Sequence, residues 1–279
     1  MGDRIEDKLK GRVIYVSNGE ENIECYRMLK RQNEMPSDPV VKYVERNLHR
    51  WKQGKLHNID NLPPELLKWV YFKPEETLFM DTETLGLSYR DAIFLIGMSY
   101  FKKGEVVVDL LLARNPWEEQ AMIMKFNEIA SRYRYMVSYN GAAFDNRRII
   151  ARNRKYRIRW DWPDDKHLDL YQFIHPFIKN KLGESQKTSK LGDVERILFG
   201  LEREDDLPSA EVPAAYEDYW MGGKPDKLVK AIRHNDIDVF SLIAVYLRIL
   251  QDPEFIPRIK EFKKKSRWKE RKSIKKEDR

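Results

Sequence analysis

With 279 residues, 42% of them hydrophobic and 35% charged, the chain is long enough for one large domain with a sizeable core, or for one domain with appendages. No apolar run approaches the roughly 20 residues that span a bilayer, and the start, Met1-Gly2-Asp3-Arg4-Ile5-Glu6, is too charged for a signal peptide. Cys25 is the single cysteine and cannot close an internal disulfide, so a reducing, cytoplasmic setting is expected and a membrane role is not. Residues 1–75 differ in texture from residues 76–250. Gly11–Val16 reads as a short strand, and Val40–Lys52 as a helix through Val41, Val44, Leu48 and Trp51. Leu62-Pro63-Pro64 marks a turn before the apolar Leu66-Leu67-Trp69-Val70. No catalytic motif falls here, and the expectation is an N-terminal accessory layer or substrate clamp.

From Thr77 the pattern becomes α/β. Thr77–Asp81, Ala92–Tyr100 and Glu105–Leu112 read as three strands with links short enough for an antiparallel meander. Pro116 can open a helix running to about Arg132. Tyr135–Ser138 is a fourth strand, Asn140-Gly141 a turn, and a helix extends from about Phe144 to Arg154. His167–Leu170 is a fifth short strand, and Leu191–Leu198 and Lys227–Leu250 are helices. This order predicts an α/β, RNase H-like mixed β-sheet, with three antiparallel strands plus parallel strands, flanked by helices over residues 76–250. Residues 251–279 form a basic tail: 258–279 hold twelve Lys or Arg against four Asp or Glu, which leaves the rest of a chain of net charge +7 close to neutral. Such a tail can neutralise phosphates in a salt-dependent way, or be a solvated end. High Lys, Arg and Glu with one cysteine also matches heat-adapted composition, so a thermophilic source is expected.

Three acidic motifs carry the chemistry. Asp81-Thr82-Glu83 comes after the apolar Leu78-Phe79-Met80. Residues two apart share a strand face, so Asp81 and Glu83 project together and Thr82 opposite. Two such carboxylates repel each other unless a counter-charge intervenes, and oxygen-only ligands suit Mg2+ or Mn2+ rather than zinc; a solvated strand end is the alternative. Asn140-Gly141-Ala142-Ala143-Phe144-Asp145 places Asp145 in the first turn of a helix, where helix-dipole stabilisation alone would also favour it. In His234-Asn235-Asp236-Ile237-Asp238 the first and last residues share a helical face. Asp238 would be partly desolvated beside Val239, unless the two form a surface His–Asp pair; Asp236 is expected to face solvent.

Taken together, the three motifs resemble the DEDD 3′–5′ exonuclease superfamily, over about residues 76–250, and are closest in texture to the YprB-like group of predicted exonucleases. The superfamily's fifth residue is a tyrosine four before the last Asp or a histidine five before it. Here His234 stands at the tyrosine spacing, and Arg233, at the histidine spacing, cannot act as a base. The resemblance implies catalytic roles for Asp81, Glu83, Asp145, His234 and Asp238. Asp81 would bridge two Mg2+ or Mn2+ ions roughly 4 Å apart, Glu83 and Asp238 completing the first site and Asp145 the second. His234 would accept the proton of the attacking water. Thr84, Leu85, Gly86, Leu87, Asn140 and Phe144 would hold the terminal nucleotide, although Leu85 and Leu87 also read as core. Lys187, Lys190, Arg147, Arg148 and Arg152 are candidates for backbone contact.

The implied substrate is single-stranded nucleic acid, DNA rather than RNA, and the implied product a nucleoside 5′-monophosphate. A homo-oligomer is compatible with the extra segments. The alternatives are an RNA-directed exonuclease, an RNase H-fold endonuclease, a catalytically inactive nucleic-acid-binding module, and a purely structural acidic cluster.

Overall fold

The structure, a computed structural model, describes residues 4–55, 72–160, 166–182, 190–204 and 206–251. The turn expected at Leu62-Pro63-Pro64, Lys187 and the basic tail lie outside the described residues. Among the described residues seven strands form one sheet: β1 (Arg12–Ser17), β2 (Asn22–Arg31), β3 (Thr77–Thr84), β4 (Ile93–Lys102), β5 (Glu105–Leu112), β6 (Tyr135–Ser138) and β7 (His167–Asp169). Their order is β1-β2-β5-β4-β3-β6-β7. The β1–β2, β2–β5, β5–β4 and β4–β3 pairs are antiparallel, and β3–β6 and β6–β7 are parallel. The mixed α/β sheet is therefore the expected one, and residues 12–31 extend it by two further antiparallel strands.

The helices are α1 (Ile5–Lys8), α2 (Pro39–Lys52), α3 (Glu119–Ala130), α4 (Asp145–Lys155), α5 (Tyr171–Leu182), α6 (Leu191–Phe199), α7 (Val212–Gly222) and α8 (Asp226–Gln251). Strand alternation divides the core between the two faces of the sheet. Leu78, Met80, Ile96 and Met98 pack with Met122, Ile123 and Phe126 of α3 and Ile149 of α4. Phe79, Leu95 and Phe101 point the other way, into a core with Val239, Ile243 and Tyr246 of α8 and Val44 and Trp51 of α2. Each large side chain so buried contributes roughly 1.5–3 kcal/mol.

Helix α8 is seated on β4 at two positions of one strand face. A Cβ at Gly97 would overlap Asn235 Oδ1 and lie 2.8 Å from Val239 Cγ1, so only glycine lets the helix come this close. Two residues on, the buried Ser99 hydroxyl donates to the Val239 carbonyl at 2.5 Å. Because Gly97 is the cross-strand partner of Asp81, this seat brings the third motif beside the first.

Two buried ion pairs tie peripheral elements to the sheet. Asp109 of β5, fully buried, takes a bidentate pair from Arg27 (2.8 and 2.5 Å) and a hydrogen bond from Tyr100 Oη (2.8 Å). Glu119, 1% exposed, is paired with Arg152, accepts the Ile93 N–H (2.9 Å) and the Tyr156 hydroxyl (2.6 Å), and so joins α3, α4 and β4. Replacing one member strands a buried charge. Arg152→Met is expected to cost about 3–5 kcal/mol, read as a lower urea midpoint at unchanged slope in chemical denaturation; a midpoint within error of the parent would refute that role.

Candidate active site

The first motif ends β3. Asp81 and Glu83 face α8, as alternation requires, and both are partly buried. Thr82 is on the opposite face, yet its hydroxyl donates to Asp145 Oδ1. Asp145 opens α4, as expected, and is 6% exposed. Its approach depends on Gly141, where a Cβ would stand 2.9 Å from Asp145 Oδ2 and closer still to Ser138. Asn140, before it, has a left-handed backbone (φ 62°). The strain is held by Asp169 of β7, which accepts the N–H groups of Asn140 (2.6 Å), Tyr171 (3.1 Å) and Ala142 (3.2 Å).

The third motif lies on α8. His234 and Asp238 share one face, with His234 Nε2 3.2 Å from Asp238 Oδ2. Asp238 Oδ1 is paired with Arg203, whose guanidinium also binds the fully buried Glu195 of α6 at 2.6 and 2.7 Å. His234 Nδ1 lies 2.6 Å from Asp206 Oδ1. The expectation of a solvent-facing Asp236 is corrected. It is 4% exposed and ion-paired with Lys30 of β2, because the helix is covered by the sheet's antiparallel extension on that side.

These groups act on one another electrostatically. Burial pushes Asp81 well above the usual carboxylate range, and the charges of Asp145, Asp238 and Glu83 add to it. Glu83 rises to about 8 through burial, with Asp238 and Asp145 reinforcing the rise. Asp145 is also raised by burial, against the Thr82 hydrogen bond and the Arg148 charge. Asp238 is the exception: it is buried too, but Arg203 and His234 hold it below its ordinary value. Burial acts to lower His234, yet Asp238 and then Asp206 carry it to about 10, so beside an ionised Asp238 the imidazole stays charged at neutral pH.

Among the described residues no three His, Cys, Asp or Glu side chains are close enough together to hold an ion as they stand. The donor set nevertheless fits a hard divalent cation. Asp81, Glu83 and Asp145 are oxygen donors whose proton affinity is raised chiefly by burial, with neighbouring carboxylates adding to it. Asp238 could join them once Arg203 gives way.

A cleft of about 810 Å³ opens onto Asp81, His234 and Asp238, and is lined further by Asn140, Tyr139, Tyr171, Lys190, Arg196 and Arg203. The Tyr139 and Tyr171 rings meet edge to face at 5.6 Å. The loop after β3 divides the two leucines read as a wedge: Leu87 is 90% exposed, whereas Leu85 packs against the core. Thr84 Oγ1 donates to the Gly86 carbonyl (2.8 Å). Phe144 is 45% exposed, with the Arg148 guanidinium 5.4 Å from its ring centre. Arg148 and Arg152 are not free for phosphates as expected. Both are buried, Arg148 donating to the Gly86 (3.3 Å) and Leu87 (3.0 Å) carbonyls and Arg152 to that of Arg90 (2.7 Å), so they clasp the loop instead. Arg147 and Lys190 are exposed.

Sequence reasoning missed Asn235, Arg203, Glu195, Thr82 and Asp169. Asn235 had a signal, standing three before Asp238 and therefore near its helical face. Arg203 had none, since it comes from a loop with no motif around it.

Comparison with known proteins agrees with this architecture. Residues 78–250 match the model of the RNase H superfamily. A 184-residue stretch is 31% identical to the uncharacterized protein YprB of Bacillus subtilis (strain 168), covering 64% of this chain and 43% of YprB, so the chain spans less than half of that relative's length. The family B DNA polymerase from the hyperthermophilic archaeon Pyrobaculum calidifontis shares the fold at a TM-score of 0.50 and 12% identity, over 87% of this chain and 45% of the polymerase. With the superfamily model covering more than half of its length, all three motifs included, this chain belongs to the RNase H superfamily.

Proposed function

We propose that the protein is a metal-dependent 3′–5′ exonuclease acting on single-stranded nucleic acid, DNA in the first instance, and releasing nucleoside 5′-monophosphates. The observation that carries this reading is a set of carboxylates, Asp81, Glu83, Asp145 and Asp238, whose charges act on one another, with Asp81 and Asp238 opening onto a cleft also lined by tyrosines and cations. Asp81, Glu83, Asp145 and Asp238 would hold two Mg2+ or Mn2+ ions. When bound, these would supply positive charge to the scissile phosphate and make a water more acidic.

The chain's own residues account for the rest. Tyr139 and Tyr171 line the cleft as aromatic surface for unpaired bases, although Tyr171 already stacks one face on His175, and Lys190 and Arg196 would meet phosphates there. Leu87 and Phe144, exposed on either side of the first and second motifs, suit contact with the terminal base. Asn140 offers a polar group in the wall of the cleft. His234 can accept a proton near neutral pH only when Asp238's charge is engaged elsewhere, because that charge is the main support of its raised pKa.

The direct test incubates the full chain with end-labelled single-stranded DNA and RNA, with Mn2+ or EDTA. A metal-dependent ladder shortening from the 3′ end is expected, and Asp81→Asn or Asp145→Asn should each reduce its rate by about 10³-fold, the equivalent of roughly 4 kcal/mol of lost stabilisation. Intact substrates with binding retained would leave a nucleic-acid-binding module, and internal nicking of circular DNA would leave an endonuclease.

Glu83 also confers a pH signature. Its pKa is raised from 4.5 to about 8 on folding, so its contribution to stability is complete below 4.5 and lost as pH rises through 8. His234, raised from 6.5 to about 10, continues the same trend at higher pH. Asp238, lowered, changes only in the acid range. Divalent ions replace the protons that relieve the cluster, so Mn2+ affinity should climb by up to about tenfold per pH unit for each proton displaced, levelling off above pH 8. Melting curves with Mn2+ and with EDTA between pH 5.5 and 9 should diverge accordingly. A constant gap across that range would refute a shared carboxylate site.

A further inference from the structure

One neutral side chain sits at the centre of the acidic cluster. Asn235 of α8 is fully buried, and its Nδ2 donates to Asp81 Oδ2 at 2.8 Å. The same amide is near enough to Glu83 to offset part of that group's rise in pKa. An ionised Asp81 can only accept, which orients the amide with Nδ2 toward it. Its Oδ1 is then left as a buried acceptor without a hydrogen-bond partner among the described residues, turned toward Gly97. Buried polar atoms in this state are rare and cluster where function demands them.

We propose that Asn235 is a positioning residue, wedged against Gly97 so that its amide fixes the Asp81 and Glu83 carboxylates in the geometry that receives divalent ions. The inference rests on the metal-dependent reading of the site. The residue type suits the task. A lysine or arginine here would neutralise the two carboxylates and compete with the ion, whereas an amide donates hydrogen bonds and leaves their charge intact. An aspartate would add a further like charge, and a leucine of similar size would fill the space with no donor. Gly97 is the other half of the device. As the cross-strand neighbour of Asp81 it leaves room for the amide, and a Cβ there would overlap Asn235 Oδ1. Supporting partners of metal ligands act in this way, by orienting the ligands rather than by touching the ion.

The test titrates Mn2+ into the full chain by calorimetry and by electron paramagnetic resonance, beside nuclease assays over a range of Mn2+ concentrations, for the parent, Asn235→Leu, Asn235→Asp and Gly97→Ala. Asn235→Leu and Gly97→Ala are expected to raise the Mn2+ dissociation constant and the half-activating Mn2+ concentration by about 10–100-fold, while turnover at saturating Mn2+ falls much less. Asn235→Asp, which keeps the shape but adds a carboxylate, should move Mn2+ binding to higher pH. It decides the matter if either of the other variants fails to fold. Parent-like Mn2+ affinity and pH dependence in the folded variants would overturn the proposal, as would a loss of turnover with affinity unchanged. A parent protein that binds Mn2+ but cuts no nucleic acid would remove the nuclease reading and leave Asn235 judged by the dissociation constants. A parent that binds no Mn2+ would overturn both.

Discussion

The seat of α8 on β4 is the constraint on which the rest of the site depends. A helix packed on a sheet normally stands off by the thickness of two layers of side chains. At Gly97 one of those layers is missing, and Ser99 hydrogen-bonds the helix backbone at Val239. Helix register is thereby fixed relative to β4, and through the Asp81–Gly97 pairing relative to β3. A slip of one residue would rotate Asp238 and His234 away from the carboxylates they act on. Neither Gly97 nor Ser99 takes part in chemistry, yet both set where the chemistry can happen.

Sequence periodicity revealed the elements whose faces differ in polarity. β5 and β6 matched their expected bounds residue for residue, and β3 through β7 with the intervening helices came out in the expected order, because alternating strands and an amphipathic α8 leave a strong pattern. β2 was not visible. Asn22–Arg31 carries Glu24, Arg27, Lys30 and Arg31, and its charges are satisfied by long-range pairs such as Arg27–Asp109 and Lys30–Asp236 that no local pattern encodes. Helices α5 and α7 were also missed, the latter weakly amphipathic and beginning with Val212-Pro213.

The site was legible to the same degree and for the same reason. Asp81, Glu83, Asp145, His234 and Asp238 announced themselves by type and spacing, since those are properties of short segments. What the sequence could not convey is how each carboxylate is held. Thr82 reaches Asp145 at the sheet's end, and Asp169 from β7 braces the Asn140 turn. Arg148 and Arg152 look like phosphate binders in a list of cations. Each instead finds carbonyls of the loop after Glu83, because α4 passes beneath it.

The four carboxylates are not equivalent, and the difference lies in their partners. Asp81 and Asp145 take hydrogen bonds from neutral groups, Asn235 and Thr82, so burial is left to raise their proton affinity, reinforced at Asp81 by the neighbouring site carboxylates and at Asp145 by Asp169. Asp238 is held by two cations, Arg203 and His234, and stays charged. Arg203 in turn is anchored by the fully buried Glu195, which would be an isolated charge without it. The folded chain therefore treats its acidic cluster in two ways, raising the proton affinity of Asp81, Glu83 and Asp145 and pairing Asp238 with an arginine. On the metal-dependent reading, Asp81, Glu83 and Asp145 would offer their oxygens to a divalent ion directly, whereas Asp238 would first have to give up the guanidinium already hydrogen-bonded to it. Arg203 opposes the rise of His234, so loss of that contact alone would tighten the imidazole's hold on its proton; the proton is released only where other positive charge offsets Asp238.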